Sequence, residues 1–209
     1  MLEKSIKRLQ ISIHRISRTG YGGEQEEDYY RFDHYRSDIV SGFICYWYYG
    51  GFHPVNIQER VDGGEIVVYE DVVGDYSQAG PVSNKLYYSL LYTDTLNTSK
   101  GFGVFYDNPQ KVERSKLRSE VGCVLDSVDS LRLNRVKAKY KVKELPQQVY
   151  IVTELPLKGY LSILLGLTKV YPAITKYCIE KGYSEDSPVT EIYDMKRKTI
   201  TYRKEIKVK

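Results

Sequence analysis

Apolar and polar positions change rhythm along the chain. In residues 1–19, Leu2, Ile6, Leu9, Ile13 and Ile16 recur at alternating spacings of four and three, which is one stripe of a helix. Lys4, Lys7, Arg8, Arg15 and Arg18 stand between them, against one acid, Glu3. Three readings stand side by side: a transit peptide of the mitochondrial type, a helix lying on an anionic membrane, or a helix packed on another protein. Residues 20–38 are Gly-rich and then charged, and read as a loop or extended arm. Residues 39–52 (IVSGFICYWYYGGF) are apolar or small throughout. Phe43, Trp47, Tyr48 and Phe52 suit either a membrane interface or a buried protein contact. If this run spans a bilayer, Arg31 and Arg36 outweigh Arg60 and keep the N-terminus on the matrix or cytosolic side. A peripheral arm is the simpler reading.

From Glu65 the pattern becomes regular. Residues 65–69 (EIVVY), 101–106 (GFGVFY) and 120–125 (EVGCVL) are β-branched or aromatic and predict strands. A helix is predicted over 83–92, capped by Ser83 and buried through Leu86 and Leu90, with Leu91 or Tyr87. The order then repeats. Residues 148–155 predict a strand. Residues 158–181 predict a long helix, with Leu161, Leu164, Leu165, Thr168, Tyr171, Ile174 and Cys178 at helical intervals. Pro172 should kink or break it, and Gly182 should end it. Residues 189–193 and 199–206 predict two more strands. Two β-α-β-β units give an α+β fold, an antiparallel sheet with helices on one face. The sequence thus divides into an extension, 1–63, and a domain, 64–209. Residues 126–146 join the halves. Lysines from Lys137 to Lys143 alternate there with Ala138, Tyr140 and Val142, and predict a charged edge strand.

Composition narrows the function. With 21 Tyr against 5 Phe and one Trp, many buried rings carry a hydroxyl that needs a partner. Three separated cysteines, Cys45, Cys123 and Cys178, and three early histidines show no metal-ligand spacing, so neither a metal site nor a cofactor is expected. Residues 1–109 carry a net charge of −5 and residues 110–209 of +9. The basic half lacks the interleaved aromatics of a nucleic-acid stacking surface, and no nucleic acid is expected. There is no GxSxG, no Walker motif and no histidine after His53 to assist a nucleophile. The expectation is a protein that is not an enzyme.

The run GVFYDNPQKVERSKLRSEVGCVL (103–125), the run 148–183 and VTEIYD resemble the GyrI-like domain of the testis-expressed reticulophagy receptor family. Tyr106-Asp107-Asn108-Pro109, Val121-Gly122, Leu161-Ser162-Ile163, Tyr171-Pro172-Ala173 and Glu191-Ile192-Tyr193 carry the likeness. The resemblance implies two pseudo-symmetric units. It implies a groove for amphipathic or cationic small molecules, with Glu191, Tyr193 and, as a wall, Tyr106; some members hydrolyse reactive molecules with a Glu and a Tyr. Glu191 has an alternative, a carboxylate hydrogen-bonded to a buried Tyr or to the break at Pro172. The family's receptors carry an acidic tail with an aromatic-x-x-aliphatic motif. Here Tyr87–Leu90 and Tyr88–Leu91 fall on a predicted helix, the sequence ends at Lys209, and the receptor role is not carried over. The leading expectation is a scaffold or accessory subunit of a membrane-associated, mitochondrial complex. It would hold other protein subunits or anionic lipid through its extension. A small-molecule binder or hydrolase is the alternative, as is a membrane adaptor at the endoplasmic reticulum.

Overall fold

The computed structural model describes residues 39–126 and 128–208, so the stripe from Leu2 to Ile16 lies outside the described residues. The chain divides after Trp47 into two units. The described part of the first is a helix, α1, over residues 39–48. Among the described residues no helix is long and apolar enough to cross a membrane.

The second unit is built on eight strands: β1 Gln58–Asp62, β2 Ile66–Val73, β3 Lys100–Phe105, β4 Arg118–Val124, β5 Lys141–Glu144, β6 Gln148–Pro156, β7 Val189–Asp194 and β8 Thr199–Glu205. They form one antiparallel sheet in the order β1-β6-β8-β7-β3-β4-β2-β5. The helices are α2 Ala79–Thr93, α3 Ser130–Lys137, α4 Tyr160–Leu165 and α5 Tyr171–Lys181, with a π-helical turn, Gly166–Val170, joining the last two.

The doubled β-α-β-β order is confirmed, and each half lends a strand to the other. β1 precedes β2 in sequence but pairs with β6; β5 precedes β6 but pairs with β2. The strand order therefore reads symmetrically outward from the β7–β3 seam, which joins the halves through Gly101↔Tyr193 and Gly103↔Glu191.

Three local expectations need correcting. Ser83 is no cap: α2 starts four residues earlier, with Gly80-Pro81 in its first turn, where a missing N–H costs nothing. Ser83 Oγ instead donates to Gly122 O at 3.1 Å, tying helix to sheet. The lysine-rich connector is a strand only from Lys141; before it stands α3, capped by Asp129, which accepts from Arg132 N at 2.8 Å. β1 falls in residues read as extension. The long helix is interrupted as Pro172 required, by the π-helical turn just before it, and Gly182 closes α5 in the left-handed conformation (φ 73°).

Parity sorts the side chains onto two faces. Val68, Cys123, Gly101, Tyr193, Ile200 and Leu155 stand across the sheet in one row. Leu86 and Leu90 of α2 and Val136 of α3 pack with Val68 and Cys123, while Ile174 and Cys178 of α5 pack with Ile151, Leu155 and Ile200. This is the helix-covered face. The opposite face carries Val67, Phe102, Val104, Val124, Leu145 and Ile192.

Candidate functional site

β7 is a central strand, bonded to β3 on one side and β8 on the other. A side chain on its helix-covered face is shielded by the sheet below and α5 above. Glu191 occupies that position and is 4% exposed. Its register neighbours are Gly103 on β3 and Tyr202 on β8. Tyr193, two residues along, shares the face.

The carboxylate is held by phenols. Tyr171, the first residue of α5, donates from its hydroxyl to Glu191 Oε1 at 2.6 Å, and Tyr193 donates to Oε2. The Tyr171 and Tyr202 rings meet edge to face, with centroids 6.1 Å apart. Among the described residues no Lys, Arg or His pairs with Glu191. Burial pushes its pKa up, against the two phenolic hydrogen bonds that favour the carboxylate. Burial and then the neighbouring Glu191 raise Tyr171 and Tyr193 well above the ordinary phenol, so both remain donors. Tyr171 and Tyr193 are each partly exposed as residues, while their hydroxyl ends are buried with the acid. Gly101 and Gly103 of β3 face the helix side, and the ring of Phe105, from the same strand, folds over Gly103, where a Cβ would stand 2.9 Å from it.

The sequence reading joined Glu191, Tyr193 and Tyr106 in one groove. The structure brings Glu191 and Tyr193 together and puts Tyr106 on the opposite face. Tyr106 follows Val104, which pairs with Thr190 rather than Glu191. With Lys143, Tyr150, Arg203 and Glu205 it lines a separate cavity of about 110 Å³. Arg203, 6% exposed, is fixed there by Glu65, with 2.8 Å from Nη1 to Oε2, and by Asp62 at 2.9 Å. Tyr106 is raised by burial and by Glu120. Of the alternatives considered for Glu191, a hydrogen bond to a buried tyrosine or to the break at Pro172, the structure shows the first, through Tyr171 and Tyr193. Sequence reasoning missed Tyr202 as the carboxylate's register neighbour. Its signal was the alternation of TITYRKEI, but only the β7–β8 register shows which residue it faces.

The remaining candidates lie elsewhere. Phe43 and Trp47 are on α1 and Tyr48 ends it; Phe52 sits in the turn that follows, and all four are exposed. The described residues contain no cluster of three or more His, Cys, Asp or Glu that could hold a metal ion. Among the described residues, buried Lys204 donates only to backbone carbonyls, Glu185 O at 2.9 Å and Ser187 O at 2.6 Å, and burial lowers its pKa.

A family model for the GyrI-like small molecule binding domain matches residues 66–209. The chain belongs to the GyrI-like family. The matched residues begin at β2 and contain both β-α-β-β halves and Glu191, Tyr193 and Tyr171. Human testis-expressed protein 264 is 30% identical over 137 residues, covering 61% of this chain and 40% of that protein. The match thus spans less than half of the human relative's length. Among solved structures, SAV2435 bound to tetraphenylphosphonium has a TM-score of 0.50 at 15% identity, over 73% of this chain and 94% of that one. The EcmrR C-terminal domain has a TM-score of 0.51 at 11% identity, over 74% and 99%. These two establish a shared fold. The GyrI-like fold is a ligand-binding one, and it agrees with the α+β expectation.

Proposed function

We propose that the domain binds a small organic cation, with Glu191 as its counter-charge and Tyr171, Tyr193 and Tyr202 as its aromatic walls. The observation that carries this is the buried carboxylate with tyrosines but no basic side chain around it. A buried acid is costly unless paired, and a delocalised cation would supply the pair while its faces contact the rings. SAV2435, which shares the fold, is seen with tetraphenylphosphonium. Nothing in the arrangement calls for bond cleavage. Isothermal titration with tetraphenylphosphonium tests the reading. Wild type should bind, and Glu191→Gln, which keeps the shape and removes the charge, should weaken binding at least about tenfold, as loss of a charge-assisted contact does. Equal binding by both, or none by wild type, removes the site.

A second reading is favoured by a different observation. Ile39, Ile44 and Trp47 of α1 are between 60 and 68% exposed. We propose that the extension docks on a membrane-associated protein assembly, with a mitochondrial location carried forward from its basic N-terminus. Light scattering of the purified chain, with and without the residues before Tyr48, tests it. A strictly monomeric full chain that also fails to float with anionic vesicles counts against it.

A further inference from the structure

Glu191 is sealed by the segment that runs through α4, the π-helical turn and the first residue of α5. Tyr171 reaches the carboxylate directly. Gly166, at the start of the turn, rests on the Tyr202 hydroxyl so closely that a Cβ there would lie 2.0 Å from it. The outer side of this cover faces solvent: Tyr160, Leu164 and Leu167 are 80, 48 and 55% exposed. A ligand of any size reaches the acid only if this segment moves.

What holds the cover down comes from the other end of the chain. Lys158, just before α4, donates to Tyr48 O at 2.6 Å, and its ammonium stands 4.7 Å from the Tyr48 ring centre. Lys169, inside the π-helical turn, donates to the carbonyls of both Gly51 and His53. The same stretch closes on itself through His53 N to Gly50 O at 2.9 Å. Val55 and Ile57 then pack into the α5 core cluster and lead into β1. Two lysines, one on each side of α4, thus grip one short run of backbone. Neither is paired with a carboxylate in these contacts, so both ammonium groups are committed to that run.

We propose that residues 48–53 form a strap that keeps segment 160–171 closed over Glu191, so that release of the strap and entry of a ligand are coupled. This rests on Glu191 being a ligand site and adds its regulation. The strap continues directly from α1, so whatever engages or tensions the extension shifts access to the acid. By linkage, a ligand that opens the cover loosens the strap to the same degree.

Wild type and the double variant Lys158→Ala/Lys169→Met decide it, with the single variants Lys158→Ala and Lys169→Arg as controls. Hydrogen exchange without ligand reads the strap alone. In the double variant the amides of 160–171 should exchange about tenfold faster, a coupling of ordinary size between sites, with β6–β8 amides unchanged. Unchanged exchange in 160–171 overturns the strap. Stopped-flow tyrosine fluorescence with tetraphenylphosphonium reads the gate. The double variant should associate about tenfold faster than wild type, and equal rates overturn the gate. If neither wild type nor the double variant binds, the ligand reading fails and the gate with it, while the exchange result still judges the strap. Lys158→Ala alone, at an exposed position, should give the smaller part of the same effect, and Lys169→Arg, which keeps a donor, should exchange like wild type. Fast exchange in Lys169→Arg would assign the effect to packing and overturn the clamp.

Discussion

At the scale of the residue, Glu191 sets the pH behaviour of the domain. Its pKa is raised in the folded state, so between the ordinary value of about 4.3 and the raised one the folded chain holds more proton than the unfolded chain. Stability from this group is therefore greatest at low pH and falls as pH climbs through that window. Urea midpoints measured from pH 4 to 8 should show the fall, and Glu191→Gln should flatten it. Cation binding runs the other way. A cation needs the carboxylate, so its affinity should rise with pH across the same window, and titrations at pH 5 and 8 would show the rise. The presence of a special acid in VTEIY was legible, because Glu191 interrupts an apolar alternation. Its surroundings were not. Tyr171 is about twenty residues away in sequence and Tyr202 about ten; the packing of α5 on the sheet brings the first to the carboxylate and the β7–β8 register the second. Tyr106 was misplaced for the same reason: which face it shares depends on pairing Val104 with Thr190, which no local pattern encodes.

At the scale of the element, the central strands were readable because they carry β-branched and aromatic residues. β1, with the sequence QERVD and no fully buried residue, offers no apolar rhythm and forms because β6 gives it a ladder. α3 was hidden by the lysine alternation that continues past it into β5, and by a single buried residue, Val136. Its start is nonetheless specified by Asp129. Asp129→Ala should cost about 1 kcal/mol, the usual worth of an N-cap, seen as a lowered denaturation midpoint and faster hydrogen exchange over 130–137. A midpoint unchanged within error would mean that Val136 packing alone holds the helix. Pro172 announced an interruption; that it would be a π-helical turn carrying Lys169 was beyond a one-dimensional pattern.

At the scale of the whole molecule, Arg203 fastens the two halves. It belongs to the second β-α-β-β half, while Asp62 and Glu65, which grip it, flank the β1–β2 link that leads into the first half. Its two carboxylate partners are partly exposed and Asp62 also holds Arg60, so Arg203→Met should cost about 2 kcal/mol, the scale of lost charge-assisted hydrogen bonds, read as loss of denaturation midpoint with the m-value unchanged. The exchange of β1 and β5 between the halves has a consequence for how the chain is made. Residues 58–62 leave a ribosome early, yet β6, their only ladder partner among the described residues, follows some ninety positions later. β5 likewise completes an edge begun by β2 about seventy positions before it. The nascent first half can pair β2 with β4 and β5, but β1 waits without a ladder, and closing so long a loop is entropically slow. Pairing of β1 is thus a late event, and a fragment cut between β5 and β6 carries an unmatched strand, β1, that seeks a partner in another copy.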